Sequence, residues 1–186
     1  MKSNYILIGP RCSGKTKTGI FLAGLLDYGF IDSDCLLEQR QNKKIEKIVA
    51  ENSWKYLREL EKDNIEYLTS TYRYETVISV GGGAVAHEFD EIRKSNLVML
   101  KKNGKIILLM PYENLEESAK ILYARMQNDG KSESQRPRLT DSEPFAEMLE
   151  VLERRIDLYT AAADKIIYTK DKNEKEVACL INRNHN

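Results

Sequence analysis

Hydrophobic residues recur along this chain with two periods. Short dense apolar runs bounded by glycine or proline predict buried strands, and apolar positions three or four apart among charges predict helices. Residues 5–8, Tyr5-Ile6-Leu7-Ile8, form the first run and stop at Gly9-Pro10. A glycine-bounded loop follows, then a periodic apolar stretch over residues 16–26. Strand, glycine loop and helix in that order open an α/β domain. A second short strand ends at Phe30-Ile31-Asp32, and residues 33–70 read as helices, with Leu57, Leu60, Ile65 and Leu68 at helical spacing. Residues 76–80 are a β-branched run cut by Gly81-Gly82-Gly83, and residues 105–110 are a further strand stopped by Pro111. An amphipathic helix is predicted over residues 113–125, another over 147–163, a strand over 165–168 and a helix at the C-terminus. Residues 97–100 fit a helix end or a strand equally. The stretch 127–143 is the only long one without a hydrophobic period, and loops of that length inside a compact domain are usually functional or disordered.

Composition narrows the class. With 186 residues and no internal repeat, one domain over 1–186 is expected, large enough to bury a sizeable core. Hydrophobic residues make up 41 % and charged residues 31 %, which excludes a disordered tail and a membrane-embedded chain. Lys+Arg and Asp+Glu are 29 each, so no basic excess favours nucleic acid or an anionic membrane. Three cysteines, Cys12, Cys35 and Cys179, cannot all pair and read as reduced thiols. The first apolar run is too short for a targeting segment, so a cytoplasmic protein is expected.

Candidate chemistry begins in the first loop. Gly9-Pro10-Arg11-Cys12-Ser13-Gly14-Lys15-Thr16 fits G-x4-G-K-[ST], a pattern that arises by chance on the order of once in a hundred chains of this length. Glycines let backbone N–H groups turn toward phosphate oxygens, and the following helix aims its positive end at them. Lys15 reaches the β- and γ-phosphates, and Thr16 offers a hydroxyl to Mg²⁺. A domain this small with a polar lid suits a kinase that closes over a small acceptor and excludes water. Asp32 and Asp34 bracket Ser33 at the end of the second strand, where ligands collect in doubly wound sheets. One carboxylate could hold the metal and the other accept a hydroxyl proton; a helix N-cap is the alternative for this pair.

These residues, with Leu57-Arg58, Glu61, the glycine triplet, Arg136-Pro137 and Arg155 with Tyr159, stand in the order and near-spacing of shikimate kinases, which the chain resembles over roughly residues 5–182. The resemblance implies a three-layer αβα sandwich on a five-stranded parallel sheet, with a mobile lid at about 127–143 and an acceptor-binding helical segment at 33–70. It implies ATP and shikimate as substrates, Mg²⁺ as cofactor, no nucleic-acid or membrane partner, and a monomer. By similarity Cys12, Ser13, Gly14, Lys15, Thr16, Lys17, Arg125 and Arg136 bind ATP, with Arg125 against adenine and Arg136 swinging from the lid onto the transferring phosphate. Arg58 and Arg155 hold the acceptor carboxylate, Gly82 passes its backbone close to the acceptor, and Asp34 orients the reacting hydroxyl. Lys15, Asp34 and Arg136 are the implied catalytic residues; Thr16 and Asp32 lie on the metal side.

Departures from the family pattern fall mainly on apolar walls. Leu57 replaces an aromatic before Arg58, Ser53-Trp54 replaces Gly-Glu, Val49 replaces an aromatic, Arg138 stands in the lid, and Arg11 stands in the phosphate loop. Two other functions are therefore kept open at this point: a related kinase for another polyol, cyclitol or sugar acid, and a non-catalytic nucleotide-binding module. His87 has no second His or Cys at ligand spacing, which argues against zinc.

Overall fold

The computed structural model describes residues 3–128, 139, 140 and 142–183. Five strands form one parallel sheet: β1 (Asn4–Ile8), β2 (Gly29–Asp32), β3 (Thr76–Ser79), β4 (Gly104–Met110) and β5 (Lys165–Tyr168), in the order β2-β3-β1-β4-β5. Register is set by pairs such as Ile6 with Ile78 and Ile106, and Leu108 with Ile166. Helices cover both faces, so the central strands read as unbroken apolar runs rather than alternating ones. Every residue of β1 is buried. Tyr5 and Leu7 face one core layer with Val77, Ile107, Leu109 and Val177, while Ile6 and Ile8 face the other with Ile78, Ile106 and Leu108.

Among the described residues the helices are α1 (Lys15–Leu26), α2 (Ser33–Gln41), α3 (Ile45–Glu51), α4 (Trp54–Thr71), α5 (Asp90–Asn103), α6 (Leu115–Asn128), α7 (Pro144–Ala162) and α8 (Glu174–Arg183). The run at 97–100 resolves as helix. Leu100 is buried on α5, whose first turn carries Asp90 and Glu91 and whose last carries Lys101 and Lys102, matching the helix dipole at both ends. The helices expected over 33–70 are three, α2, α3 and α4. Asn42 in the left-handed region ends α2, and Ser53 caps α4 by accepting from the Tyr56 N–H at 3.2 Å. A separate small core of Leu37, Ile48 and Leu57 joins α2, α3 and α4. No helix among the described residues is long and apolar enough to cross a membrane.

Strand order decides where chemistry can sit. β1 lies between β3 and β4, so the chain passes to one side for β2 and β3 and to the other for β4 and β5. The carboxyl ends of β1, β2 and β3 are therefore neighbours at the switch point, and the loops leaving them meet in one crevice.

Candidate active site

The loop after β1 is shaped by backbone that few side chains permit. Gly9 has φ 139°, and a Cβ there would collide with the Leu109 carbonyl. Gly14 caps α1 at φ 93°, and Cys12 takes the left-handed region at φ 62°. No side chain caps α1 and no acidic residue occupies its first turn. An anion is what the dipole and the leading N–H groups at this end favour. Lys15 Nζ donates to the carbonyls of Gly9 at 3.0 Å and Pro10 at 2.9 Å, which holds the cation inside the loop. Burial pushes this ammonium below its usual range, opposed by the carboxylates of Asp34 and Asp32.

At the end of β2 the two roles weighed for the aspartates coexist. Asp32 Oδ1 accepts from the N–H groups of Asp34 at 3.0 Å and Cys35 at 3.4 Å, a helix N-cap, while Oδ2 accepts from Thr16 Oγ1 at 2.7 Å. A hydroxyl and a carboxylate in contact beside a phosphate loop are hard oxygen donors, the set Mg²⁺ takes when phosphates and water fill its other positions. No three His, Cys, Asp or Glu side chains gather as a metal site among the described residues, so the fit is to a shared ion and not to an all-protein cage. Asp34 is different. Burial, then repulsion from Glu61 and Asp32, pushes its carboxyl up to about 7 against the pull of Lys15 and Arg58. A carboxylate titrating there is matched to accepting a proton near neutral pH.

Arg58 is buried on α4 and donates through Nη1 to both carboxylate oxygens of Glu61, each at 2.7 Å. Its guanidinium lies 5.2 Å from the centre of the Trp54 ring. The glycine triplet explains itself against these groups: a Cβ on Gly81 would collide with the Asp34 carboxylate, and one on Gly83 with the Arg58 guanidinium. Gly82 lies between them, where a Cβ would come 3.3 Å from the Gly9 carbonyl oxygen. Ser33, between the aspartates, accepts from the Gly81 N–H at 2.9 Å, and its own carbonyl accepts from Asn64 Nδ2 at 2.9 Å. That ties the start of α2, the triplet and α4 into one frame.

One cleft of about 950 Å³ collects the phosphate loop, Asp32, Asp34, Arg58, Gly82, Arg125 and Arg155. Arg125, in the last turn of α6, donates to Thr169 Oγ1 at 3.3 Å at the edge of this cleft. Ser13 is buried within the loop, whereas the Lys17 side chain is 73 % exposed and turns toward Glu174 at 3.8 Å, so its ammonium does not enter the loop. Arg136, Arg138 and most of the expected lid lie outside the described residues. The expectation for Gly82 alone undersold the triplet, since all three glycines make room for a neighbour. Glu61 was a motif member without a role, and its i,i+3 spacing to Arg58 on one helix was the signal available. His87 is buried, and burial and Arg58 push its imidazole down to about 4; its Nδ1 accepts from the Phe89 N–H at 3.0 Å.

Comparison with known proteins gives one family. The sequence profile described as Shikimate kinase matches residues 11–184. Shikimate kinase 2 of Photorhabdus laumondii is 35 % identical over 175 residues, covering 94 % of this chain and 91 % of the relative. Shikimate kinase of Syntrophus aciditrophicus is 34 % identical over 182 residues, covering 94 % and 86 %. Among solved structures, shikimate kinase from Acinetobacter baumannii in complex with shikimate superposes with a TM-score of 0.84 at 27 % identity, covering 100 % of this chain and 93 % of that one. A gluconokinase from Sinorhizobium meliloti, at 15 % identity and a TM-score of 0.53, shares the fold alone.

Proposed function

The chain belongs to the shikimate kinase family, and from that premise we propose how it carries the γ-phosphoryl group of ATP to the 3-hydroxyl of shikimate, giving shikimate 3-phosphate and ADP. The observation that carries the reading is one cleft in which a phosphate loop, a carboxylate poised near neutral pH and two arginines converge. The backbone N–H groups of residues 12–16 cradle the phosphates, and Lys15 leaves the Gly9 and Pro10 carbonyls for the β- and γ-phosphate oxygens. Thr16 and Asp32 would hold Mg²⁺, which, when bound, neutralises charge developing on the transferring phosphate. Arg58, braced by Glu61, and Arg155 grip the acceptor carboxylate, using the planar fork that suits it. Asp34 then accepts the proton of the 3-hydroxyl as that oxygen bonds to phosphorus and the β–γ bridging oxygen leaves with ADP. Arg125 borders the adenine end, and the transferring phosphate is assigned to Arg136 by family similarity alone, since that residue lies outside the described ones. Reduced thiols and ATP use suit the cytoplasm.

The test compares acceptors. Coupled ADP release is measured with shikimate and with an analogue lacking the carboxylate, in wild type, Arg58→Lys and Arg155→Lys. Loss of the carboxylate should raise the acceptor KM of wild type roughly ten- to a hundredfold and that of the variants little, because the fork is already lost. Equal losses in all three proteins would make the arginines structural charges and remove this reading's support.

A further inference from the structure

We propose that Tyr159 is a positioning residue for the phosphoryl transfer, locking the acceptor arginine Arg155 to the glycine triplet and, through Gly82, to the phosphate loop. Tyr159 is fully buried in α7, one helical turn after Arg155. Its hydroxyl donates to the Gly82 carbonyl. Arg155 lies four residues earlier on the same helix, lines the same cleft as Tyr159, and its positive charge acts on this phenol. Gly82 touches the other half of the site: a Cβ there would come 3.3 Å from the Gly9 carbonyl oxygen, 3.6 Å from the Arg11 backbone nitrogen and 3.6 Å from the Tyr159 hydroxyl. The chain of contacts thus runs from the acceptor grip on α7, through one phenol, to the backbone that cradles phosphate.

The ring and the hydroxyl do different jobs. The ring belongs to the large core layer with Val80, Ala84 and Leu152, and a phenylalanine would fill that space as well. Burying a hydroxyl is unfavourable unless it is bonded, so the oxygen is placed for direction and not for packing. A phenol has one proton to give and lone pairs to accept with. Here the proton goes to Gly82, which fixes α7, and with it Arg155 one turn earlier, relative to the loop. Small errors in such placement act on acceptor binding and alignment while leaving the nucleotide contacts intact.

This inference rests on the proposed reaction, and the experiment separates the two. Coupled ADP release is measured for wild type, Tyr159→Phe, Arg155→Lys and the double variant, with KM for shikimate and for ATP determined independently. Tyr159→Phe should raise the shikimate KM about five- to thirtyfold with the ATP KM within about twofold. The double variant should be no worse than the more affected single one, because Tyr159 acts through Arg155. Multiplicative losses, or equal changes in both KM values with a lowered melting temperature, would overturn the inference and leave Tyr159 a structural tyrosine. Should Tyr159→Phe fold poorly, 3-fluorotyrosine at position 159 keeps the shape but makes the phenol a stronger donor and weaker acceptor; an unmoved shikimate KM there also overturns it. A wild type with no shikimate-dependent ADP release overturns the reaction itself, and the inference with it, whereas an active wild type with an indifferent Tyr159→Phe overturns the inference alone.

Discussion

Replacing Glu61 by Gln probes the acceptor side at its most constrained point. The side chains of Arg58 and Glu61 are 6 % and 9 % exposed, and one guanidinium nitrogen meets both carboxylate oxygens at 2.7 Å. Breaking a buried ion pair costs about 3–5 kcal/mol, because the remaining charge is left uncompensated. The Gln amide oxygen still accepts one bond and the Trp54 ring still lies 5.2 Å from the guanidinium, so the expected loss is nearer to 2–3 kcal/mol. For a domain of this size that lowers Tm by roughly 5–10 °C. Freed from its brace, Arg58 samples more rotamers, and the shikimate KM should rise about tenfold. A second effect has the opposite sign for acid tolerance. Glu61 is the largest charge repelling the Asp34 carboxylate, whose pKa stands at about 7, so removing that charge lowers the pKa. The acidic limb of kcat should therefore move to lower pH in Glu61→Gln. Thermal melts, ADP-release kinetics across pH, and the emission of Trp54, the chain's one tryptophan, on shikimate addition measure the three effects. An unchanged shikimate KM together with an acidic limb displaced upward would refute the reasoning.

Three further outcomes are expected. Lys15→Ala should abolish turnover while Tm moves by only a few degrees, since among the described residues the ammonium bonds only loop carbonyls; retained kcat would contradict the phosphate-loop role. Asp34→Asn should be inactive yet more stable than wild type at pH 8. A carboxyl whose folded pKa of about 7 exceeds its unfolded value of 3.8 binds more protons in the folded state, so its destabilising effect grows as pH rises from about 4 to 7 and is complete above that. The gain in Tm should vanish toward pH 4, and a gain independent of pH would count against a raised pKa. Asp32→Asn should raise the Mg²⁺ concentration for half-maximal activity severalfold, because the oxygen facing Thr16 loses its charge; an unaltered Mg²⁺ requirement would place the ion elsewhere.

How much of this was legible before the fold depended on contact range. The strand, loop and helix of residues 5–26 followed from one apolar run, two glycines and a period of 3.6, all local. Asp32 and Asp34 were placed correctly at a strand end, but their division of labour needed the 2.7 Å approach of Thr16, sixteen residues away. The run at 97–100 was ambiguous because Leu-Val-Met-Leu suits either state, and the core contact of Leu100 decides it. α6 begins later than expected because Asn114 accepts from the Glu117 N–H at 2.9 Å, and α7 begins earlier because Pro144 suits a first turn. The glycine triplet shows the limit most sharply. Its sequence signals close approach, yet which neighbour approaches which glycine is set by Asp34, Arg58 and Gly9, each brought in by a different strand or helix. No periodicity carries that information.

For the proposed transfer, one cleft must place the γ-phosphate of ATP against a hydroxyl of shikimate. ³¹P NMR of the wild-type protein with Mg²⁺, ATP and shikimate tests it most directly. The expected result is loss of the γ resonance with equal appearance of ADP and one new phosphomonoester, coupled to the proton on carbon 3 of shikimate, and no phosphomonoester with Lys15→Ala. Conversion of ATP to ADP and inorganic phosphate without that ester, or an ester on another hydroxyl, would contradict it.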